Sequence, residues 1–307
     1  MNIKKVLLLV GGFSNERNVS LNAGADIEKA LKEKGYEVIV HDLKNIESFV
    51  AVLQSEKPDV VYNGLYGNWG EDGTVQGFLD IWQIPYTHSG LSASSIGMNK
   101  YLTRLVAKDC GIKVADAQKI TYAQWKQGKV KIEIPYVVKP VSEGSSCGVF
   151  VVEKQNDVAN VIYDNDDTEL LVEKYIDGLE LTAMCLDGKA YVVTQLCAKG
   201  QFYDYKAKYT SGMTEHILPA KINDDVKNQC IEYAQKLHNA LGCNTISRTD
   251  FRYNPKDGVV MLEINTNPGM TSLSLVPEQV KYALNMDYGD LCDKLVRNAK
   301  CRKIEGK

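Results

Sequence analysis

The sequence predicts an α/β protein, α+β overall, and three observations lead to that prediction. Apolar strands and amphipathic helices alternate over the first ninety residues, as in a parallel sheet with helices on its faces. After about residue 93 this alternation gives way to hairpins closed by glycine-rich or Pro-Lys-Asp-Gly turns. At 307 residues, the chain is long enough for two or three domains and a large buried core.

The N-terminal region reads as βαβαβα. Strands are predicted for KKVLLLV, YEVIVHDL and DVVYNGL. Helices are predicted for SLNAGADIEKALKEKG, with Ser20 as its N-cap, and for IESFVAVLQSE and GTVQGFLDIW. Ligand-binding loops lie at the carboxyl ends of parallel strands, and here these loops are GGFSNERNVS and YGNWGEDG.

The remaining elements are mixed in type. MNKYLTRLVAKDCG predicts a helix that ends at a glycine, and DVANVIYD predicts another. YVVKPV and GVFVVE predict strands around SEGSSCG, and ELLVEKYIDG predicts a strand after them. The last region predicts an LTAMCLDG–KAYVVTQL hairpin, a polar stretch from 198 to 220, a helix at 224–241, a second hairpin and two terminal helices.

Composition and charge narrow the class of protein. A net charge of −3 and scattered basic residues give no reason to expect a nucleic-acid partner. The apolar run in MNIKKVLLLVGG stops after five residues, and no stretch approaches the roughly 20 residues that span a bilayer. The eight cysteines include no Cys-x-x-Cys pair, so we expect free thiols. These features predict a cytoplasmic enzyme or binding protein without a membrane partner.

Four polar residues of the second hairpin are predicted to converge. Side chains alternate along a strand, so Arg248 and Asp250 should share one face, as should Glu263 and Asn265 on the partner strand. The opposite, apolar face would hold Val260, Leu262 and Ile264. Carboxylate and amide oxygens suit Mg²⁺ together with phosphates. A solvated sheet face is the alternative.

The stretch VVKPVSEGSSCGV is a candidate phosphate site. Lys139 lies in an apolar strand, where its ammonium is costly unless it meets an anion. The glycine-rich loop after it offers backbone N–H groups that can wrap phosphate oxygens, although a plain hairpin with an edge lysine is the alternative. Glu173 and Lys174 end the next strand, where they are either adenine-binding groups or a solvated pair.

Nine stretches, in order, resemble the ATP-grasp superfamily and more closely the D-alanine–D-alanine ligases. They are GGFSNERNVSL, GEDGTVQGFLD, PYTHSG, MNK, VVKPVSEGSSCGV, EKYIDGLELT, FYDYKAKY, SRTDF and LEINTNPGMTSLSLVP. Any one of them could arise by chance, whereas nine in order are specific. The resemblance implies a three-domain ATP-grasp fold, with domains predicted at 1–92, 93–172 and 173–307.

The resemblance also implies roles for individual residues. ATP would contact Lys100, Lys139, Ser145, Ser146, Glu173, Lys174, Tyr175, Ile176, Glu180 and Lys208. Asp250, Glu263 and Asn265 would hold two Mg²⁺ ions, for which Mn²⁺ can substitute. Substrate contacts would come from Glu16 to the first D-alanine's ammonium, from Arg248 and the Gly269 N–H to the oxyanion, and from Ser274 and Leu275 to the second carboxylate. Catalytic roles are implied for Glu16, Ser145, Tyr209 and Arg248.

Tyr66 and Tyr209 are two positions at which the resemblance leaves two alternatives for the role of the residue. Tyr66 stands where the ligases usually have a histidine that lines the substrate pocket, so it is either a tolerated substitution or a change in the pocket and its pH profile. Tyr209 ends the predicted lid motif, and its hydroxyl would bond toward Ser145 and Glu16. Ester-forming relatives differ at this position, which marks the chain as a dipeptide maker. An aromatic anchor with an idle hydroxyl is the alternative for Tyr209.

The resemblance implies ATP-dependent ligation of two D-alanines through an acyl phosphate, for peptidoglycan precursor synthesis, by a homodimer. Two alternatives are another ATP-dependent carboxylate–amine ligase and an inactive relative that serves as a binding protein. SNERNVSL and KAKY match the amino-acid site, which argues against the first alternative. No metal ligand or phosphate lysine is lost, which argues against the second. The Gly11-Gly12 turn lacks G-x-G-x-x-G spacing, which excludes a dinucleotide-binding oxidoreductase.

Overall fold

Three β-sheets with helices packed against them make up the part of the chain that a computed structural model describes, namely residues 3–145, 147–198, 214–271 and 274–303. The N-terminal sheet is parallel, in the order β2-β1-β3. Its strands are β1 (Lys5–Gly11), β2 (Glu37–Leu43) and β3 (Val60–Asn63), and the helices that alternate with them are Arg17–Glu33, Ile46–Glu56 and Thr74–Trp82. The predicted βαβαβα order is therefore confirmed.

The prediction that Ser20 caps the first helix is wrong. The helix Arg17–Glu33 begins one turn earlier, and Glu16 occupies its N-cap position. Ser20 lies inside the helix and is fully buried. Its hydroxyl accepts a hydrogen bond from Gly11 N–H at 2.8 Å and donates one to the Gly64 carbonyl at 2.6 Å. Ser20 thus joins the helix to the ends of two strands.

The central sheet is antiparallel, in the order β4-β7-β5-β6. Its strands are β4 (Ala117–Thr121), β5 (Tyr136–Pro140), β6 (Phe150–Val152) and β7 (Glu169–Lys174). The glycine-rich loop joins β5 to β6, as predicted. The helix predicted for DVANVIYD is wrong in type and extent, because a 3₁₀ helix at Gln155–Asn160 replaces it.

The C-terminal sheet follows the order β11-β10-β8-β12-β13, with β9 beside β8. Its strands are β8 (Leu179–Leu186), β9 (Lys189–Ala190), β10 (Thr194–Ala198), β11 (Thr214–Ile217), β12 (Ile246–Asn254) and β13 (Gly258–Asn265). The helix Asp224–Leu241 covers one face. The predicted lid, 198–220, contains strand β11 near its end, and 199–213 lie outside the described residues.

The helices connect the three sheets. The predicted helix in MNKYLTRLVAKDCG begins at Lys100 and not at Met98, because the Asn99 side chain caps Lys100–Asp109 by accepting from the Leu102 N–H at 3.0 Å. A separate helix, Leu91–Met98, precedes it, and both pack against Asp224–Leu241.

The chain ends with the two predicted terminal helices. Leu275–Leu284 packs against β8, and Tyr288–Arg297 returns to pack on Arg17–Glu33 of the N-terminal sheet. Contacts between the N- and C-terminal regions therefore place residues of both in one buried apolar cluster. The domain boundaries at 92/93 and 172/173 stay a prediction.

Two buried histidines predict acid lability. Burial lowers the pKa of His238 to about 4 and that of His88 to about 3, from an ordinary value of 6.5. The unfolded chain therefore binds these protons more readily, and stability present above pH 6.5 is lost as the pH falls toward 4. Urea unfolding should show this fall, and His238→Gln should make it shallower. An unchanged pH slope in the variant would contradict the assignment.

Candidate active site

A cavity of about 510 Å³ opens between the central and C-terminal sheets. Its walls include every described residue predicted to contact ATP except Ser145, together with two of the three predicted metal ligands: Lys100, Lys139, Glu173, Lys174, Tyr175, Ile176, Glu180, Asp250 and Glu263. Its volume lies within the range typical of ligand and cofactor sites. The fold therefore brings together residues that are as much as 163 positions apart in the sequence.

A buried charge cluster forms one wall of the cavity. Glu173 Oε1 lies 2.5 Å from Lys139 Nζ, and its Oε2 lies 3.1 Å from Arg104 Nη1. All three side chains are buried. Lys139 thus meets the anion that its apolar strand requires. Burial lowers the pKa of Arg104, and the neighbouring Glu173 and Asp116 carboxylates oppose that shift.

Arg104 was missed by the sequence analysis, although a signal existed. The helix Lys100–Asp109 buries Lys100, Thr103, Arg104 and Ala107, which follow the helical spacing of an inward stripe. A basic residue on such a stripe requires an acidic partner, and that partner is 69 residues away on another element. Local patterning therefore indicates a buried arginine but cannot identify Glu173.

The hairpin of β12 and β13 forms the facing wall. Asp250 pairs with Glu263 and Arg248 with Asn265 in the strand register, so the four polar residues converge as predicted. The predicted apolar face is wrong in one respect, because the ladder shifts between Asp250 and Phe251 and leaves Leu262 as an extra residue. Leu262 consequently lines the cavity beside Glu263.

The prediction that Val260, Leu262 and Ile264 share one face therefore holds for Ile264, which lies opposite Glu263, and fails for Leu262 and Val260. Met261 and Ile264 lie in the same apolar cluster beneath the sheet, whereas Val260 belongs to a separate one. A bulge changes the alternation of faces by one residue, and nothing in the sequence of a single strand shows where the partner strand imposes it.

The acidic groups of this hairpin contact one cation of the hairpin itself, Arg248, and one cation of the helix Lys100–Asp109, Lys100. Arg248 donates to Asp250 through Nε and Nη2, each at 2.9 Å. Thr182 donates to the same carboxylate at 2.6 Å, and Lys100 Nζ lies 3.6 Å from Glu263 Oε2. Lys100 also donates to the Glu143 carbonyl at 2.5 Å, at the start of the glycine-rich loop.

Asp250, Glu263 and Asn265 offer oxygen ligands that fit Mg²⁺. In the described ranges, no group of three or more His, Cys, Asp or Glu side chains could hold a metal on its own. Two carboxylates and an amide oxygen are nevertheless enough for Mg²⁺ when phosphates supply further oxygens. Asn265 Oδ1 also accepts from Asn267 N–H at 3.0 Å, which fixes the side chain in place.

Glu16 forms a second, smaller site at the start of the first helix. It is buried, and the Ser145 hydroxyl of the glycine-rich loop donates to its Oε1. Two glycines allow this approach: a Cβ at Gly67 would lie 2.6 Å from Glu16 Oε2, and one at Gly144 would lie 2.7 Å from it. The structure therefore brings together Glu16 and Ser145, which are predicted to act together.

Glu71 is a second residue that the sequence analysis did not select. It is buried and accepts the Gly67 N–H at 2.8 Å. Burial raises the pKa of Glu71 well above its ordinary value, and the nearby Glu16 carboxylate raises it further, whereas the Gly67 N–H and Arg248 oppose the shift. The sequence signal that could have identified Glu71 is an acidic residue in the GEDG loop, which follows a buried strand.

The turn after β13 leads into the helix Leu275–Leu284. Gly269 lies close to the helix start, because a Cβ there would be 3.2 Å from Ser274 Oγ. Ser274 occupies the N-cap position, and Leu275 is the first helical residue, so backbone N–H groups at this end can receive an anion. Ser146, Lys208 and Tyr209, also predicted for the site, lie outside the described residues.

Comparisons with known proteins identify the family of this chain. The family model described as D-ala D-ala ligase C-terminus matches residues 106–297. The chain is 43% identical to the D-alanine–D-alanine ligase of Dinoroseobacter shibae, over 97% of this chain and 96% of that protein. It is 44% identical to the ligase of Zymomonas mobilis, over 96% and 94% of the two chains. The chain belongs to the D-alanine–D-alanine ligase family.

A solved structure supports the same family assignment. The crystal structure of D-alanine–D-alanine ligase from Bacillus anthracis complexed with ATP matches with a TM-score of 0.82 at 28% identity. The match covers 97% of each chain. The ATP-grasp fold expected for the ligase family is therefore present, with its parallel N-terminal sheet.

Replacing Glu173 should destabilise the protein strongly. Glu173→Gln leaves the buried Lys139 and Arg104 without their carboxylate, and we expect a loss of about 3–5 kcal/mol in unfolding free energy. Glu169→Gln is the matched control, because Glu169 lies on the same strand and pairs with Lys119 in a largely exposed site. It should cost less than about 1 kcal/mol. Urea unfolding would contradict this account if both variants lost the same amount.

Proposed function

We propose that this member of the D-alanine–D-alanine ligase family joins two D-alanines to D-alanyl-D-alanine, with ATP converted to ADP and phosphate. The observation that carries the proposal is one cavity in which lysines, carboxylates and a glycine-rich loop meet, next to the buried Glu16. In the family this reaction supplies peptidoglycan synthesis, which we propose as the role of this chain.

The nucleotide would lie across the cavity. Lys100, Lys139 and the loop at Ser145 and Ser146 would receive the phosphates, because the cations offset the phosphate charge. The adenine would contact residues 173–176, which lie at the end of β7 and directly after it, at the cavity wall. Glu180 would hold the ribose hydroxyls, and its carboxylate is already oriented by Arg252 at 3.0 Å.

We propose two Mg²⁺ ions, which Mn²⁺ can replace, held by Asp250, Glu263 and Asn265 with the phosphates of ATP. Bound there, the ions neutralise charge on the transferring phosphoryl group. Arg248 donates two hydrogen bonds to Asp250, which fixes the orientation of that carboxylate at the cavity wall.

The amino-acid chemistry would run between Glu16 and the Gly269 turn. Glu16 would hold the first D-alanine's ammonium, and a carboxylate oxygen of that D-alanine would attack the γ-phosphorus, releasing ADP. The second amine then attacks the acyl carbon of the acyl phosphate, and phosphate leaves with the transferred oxygen. Arg248 and the Gly269 N–H would stabilise the oxyanion of this step.

The remaining parts of the proposed site are the binding site of the second D-alanine and the lid. The carboxylate of the second D-alanine would lie at the start of the helix Leu275–Leu284, on Ser274 and the Leu275 N–H. Lys208 would reach the phosphates, and Tyr209 would bond toward Ser145 and Glu16 when 198–220 close. A closed lid would protect the acyl phosphate from water.

Assembly and location are proposed on the same family grounds. We propose a cytoplasmic homodimer that requires neither nucleic acid nor a membrane. Among the helices of the described ranges, none is both long and apolar enough to cross a bilayer.

The direct test is ADP release by the purified protein with ATP, Mg²⁺ and D-alanine, with the product identified by mass spectrometry. We expect D-alanyl-D-alanine, and no comparable ADP release with L-alanine. Adding D-serine or D-lactate as the competing second substrate measures the specificity. Absence of the dipeptide with active ADP release on another amino acid would instead indicate a different carboxylate–amine ligase.

Glu263→Gln should reduce turnover by about 10²-fold at saturating Mg²⁺, because an amide coordinates the ion weakly and leaves phosphate charge uncompensated. The half-saturating Mg²⁺ concentration should rise as well. Steady-state ADP release over a Mg²⁺ titration measures both. Wild-type turnover in the variant would remove Glu263 from the metal site.

Gly67→Ala should raise the KM for D-alanine about tenfold or more, because the new methyl group displaces the Glu16 carboxylate. Gly67 and Gly35 both have left-handed backbone, with φ of 69° and 89°. A Cβ at Gly35 would meet nothing within 4 Å, so Gly35→Ala controls for backbone strain alone. Equal D-alanine KM values in the two variants would contradict the role of Glu16.

A further inference from the structure

Tyr66 connects the two ends of the proposed amino-acid site. Its backbone carbonyl accepts a hydrogen bond from the Ser14 hydroxyl at 2.6 Å. The same Ser14 oxygen accepts from the Glu16 N–H at 3.1 Å. One end of Tyr66 is therefore joined, through a single serine, to the residue proposed to hold the first D-alanine.

The side chain of Tyr66 reaches the opposite end of the site. Its hydroxyl accepts from the Met270 N–H at 3.0 Å, and both residues are buried, with exposures of 4% and 1%. Tyr288 donates to the Met270 carbonyl at 2.5 Å. Two tyrosines thus hold the peptide groups on either side of Met270, directly after the proposed oxyanion donor Gly269.

The Tyr66 and Tyr288 hydroxyls form a clamp on Met270. This clamp matters for the neighbouring Gly269, because glycine has few conformational limits of its own. The peptide between Gly269 and Met270 is fixed by the Tyr66 hydroxyl, which restricts the rotation of the Gly269 backbone. The Gly269 N–H belongs to the preceding peptide, and only the φ and ψ angles of Gly269 lie between the two peptides, so fixing the second peptide limits the directions that this N–H can take. A displacement of about 1 Å at a reacting group can cost on the order of 10²-fold in rate, so such a constraint has a catalytic consequence.

We propose that Tyr66 is a positioning residue, which sets the Gly269 N–H relative to Glu16 and so favours attack by the second amine over attack by water. This inference rests on the proposed function. The contact that carries this inference is the hydrogen bond between the Tyr66 hydroxyl and the Met270 N–H.

If Tyr66 positions the Gly269 N–H, its loss should change the ratio of ADP to dipeptide, whereas a tyrosine that only packs in the core should not affect that ratio. When the amine attacks the acyl phosphate, the products are dipeptide and phosphate. When water attacks instead, the products are D-alanine and phosphate, so ADP is released without dipeptide. A poorly oriented oxyanion donor slows the aminolysis, so the acyl phosphate lives longer and has more time to leave the site and hydrolyse in bulk water, a route that does not use the donor. The ratio of ADP to dipeptide then rises above one.

The test is Tyr66→Phe, which removes the hydroxyl and keeps the ring in the apolar cluster. We expect turnover to fall about tenfold, the KM for ATP to stay within about twofold, and the ADP-to-dipeptide ratio to rise to about two or more. Tyr122→Phe is the matched control, because Tyr122 is also buried and its hydroxyl donates to a backbone carbonyl, that of Val161, in the apolar cluster beside the central sheet. The control should keep the wild-type ratio.

Tyr288→Phe is the second variant, and it removes the other half of the clamp without touching Tyr66. It should also raise the ADP-to-dipeptide ratio, and it replaces Tyr66→Phe as the test variant if Tyr66→Phe does not fold. A ratio of one in the folded Tyr66 variant overturns the inference, whether or not turnover falls. If only Tyr288→Phe folds, a ratio of one in that variant overturns it. Failure of the wild-type protein to make dipeptide would instead overturn the proposed function.

Discussion

The carboxylate of Glu173 ties together the elements that build the nucleotide cavity. From the end of β7 it pairs with Lys139 on β5 and with Arg104 on the helix Lys100–Asp109. The three buried groups together carry one net positive charge, in a place from which most water is excluded. Such a cluster is costly in an empty protein and favourable when a polyphosphate completes it. Glu173 therefore stabilises the buried cationic cluster at which we propose that the phosphates of ATP bind.

On the facing wall, two acidic groups each lie beside a cation. Asp250 and Glu263 bring two carboxylates into the cavity, with Arg248 holding the first and Lys100 near the second. A β-bulge at Leu262 turns this part of the hairpin toward the cavity. A cavity lined by both cations and carboxylates suits a ligand that carries both phosphates and divalent ions. The reaction proposed here requires that combination, because it transfers a phosphoryl group between anions.

The sequence predicted the parts of the structure that depend on local chemistry. The helix Ile46–Glu56 was predicted to the residue, because its apolar spacing and capping residue lie within a dozen positions. Ser20 was misassigned because its hydroxyl bonds to strand ends that only the tertiary fold brings near. The predicted face of Leu262 was wrong for a related reason, since pairing with the partner strand imposes the bulge. Arg104 and Glu71 were missed because distant residues account for their burial. The motifs predicted which residues meet, and the structure added the groups that hold them in place.

The central claim is that this cavity activates a carboxylate by phosphorylation, and oxygen transfer tests it most directly. D-alanine labelled with ¹⁸O in its carboxylate is supplied with unlabelled ATP and Mg²⁺, and the released phosphate is analysed by mass spectrometry. An acyl phosphate mechanism moves one labelled oxygen from D-alanine into each phosphate that accompanies dipeptide formation. Phosphate free of ¹⁸O, released together with the dipeptide, would contradict the account.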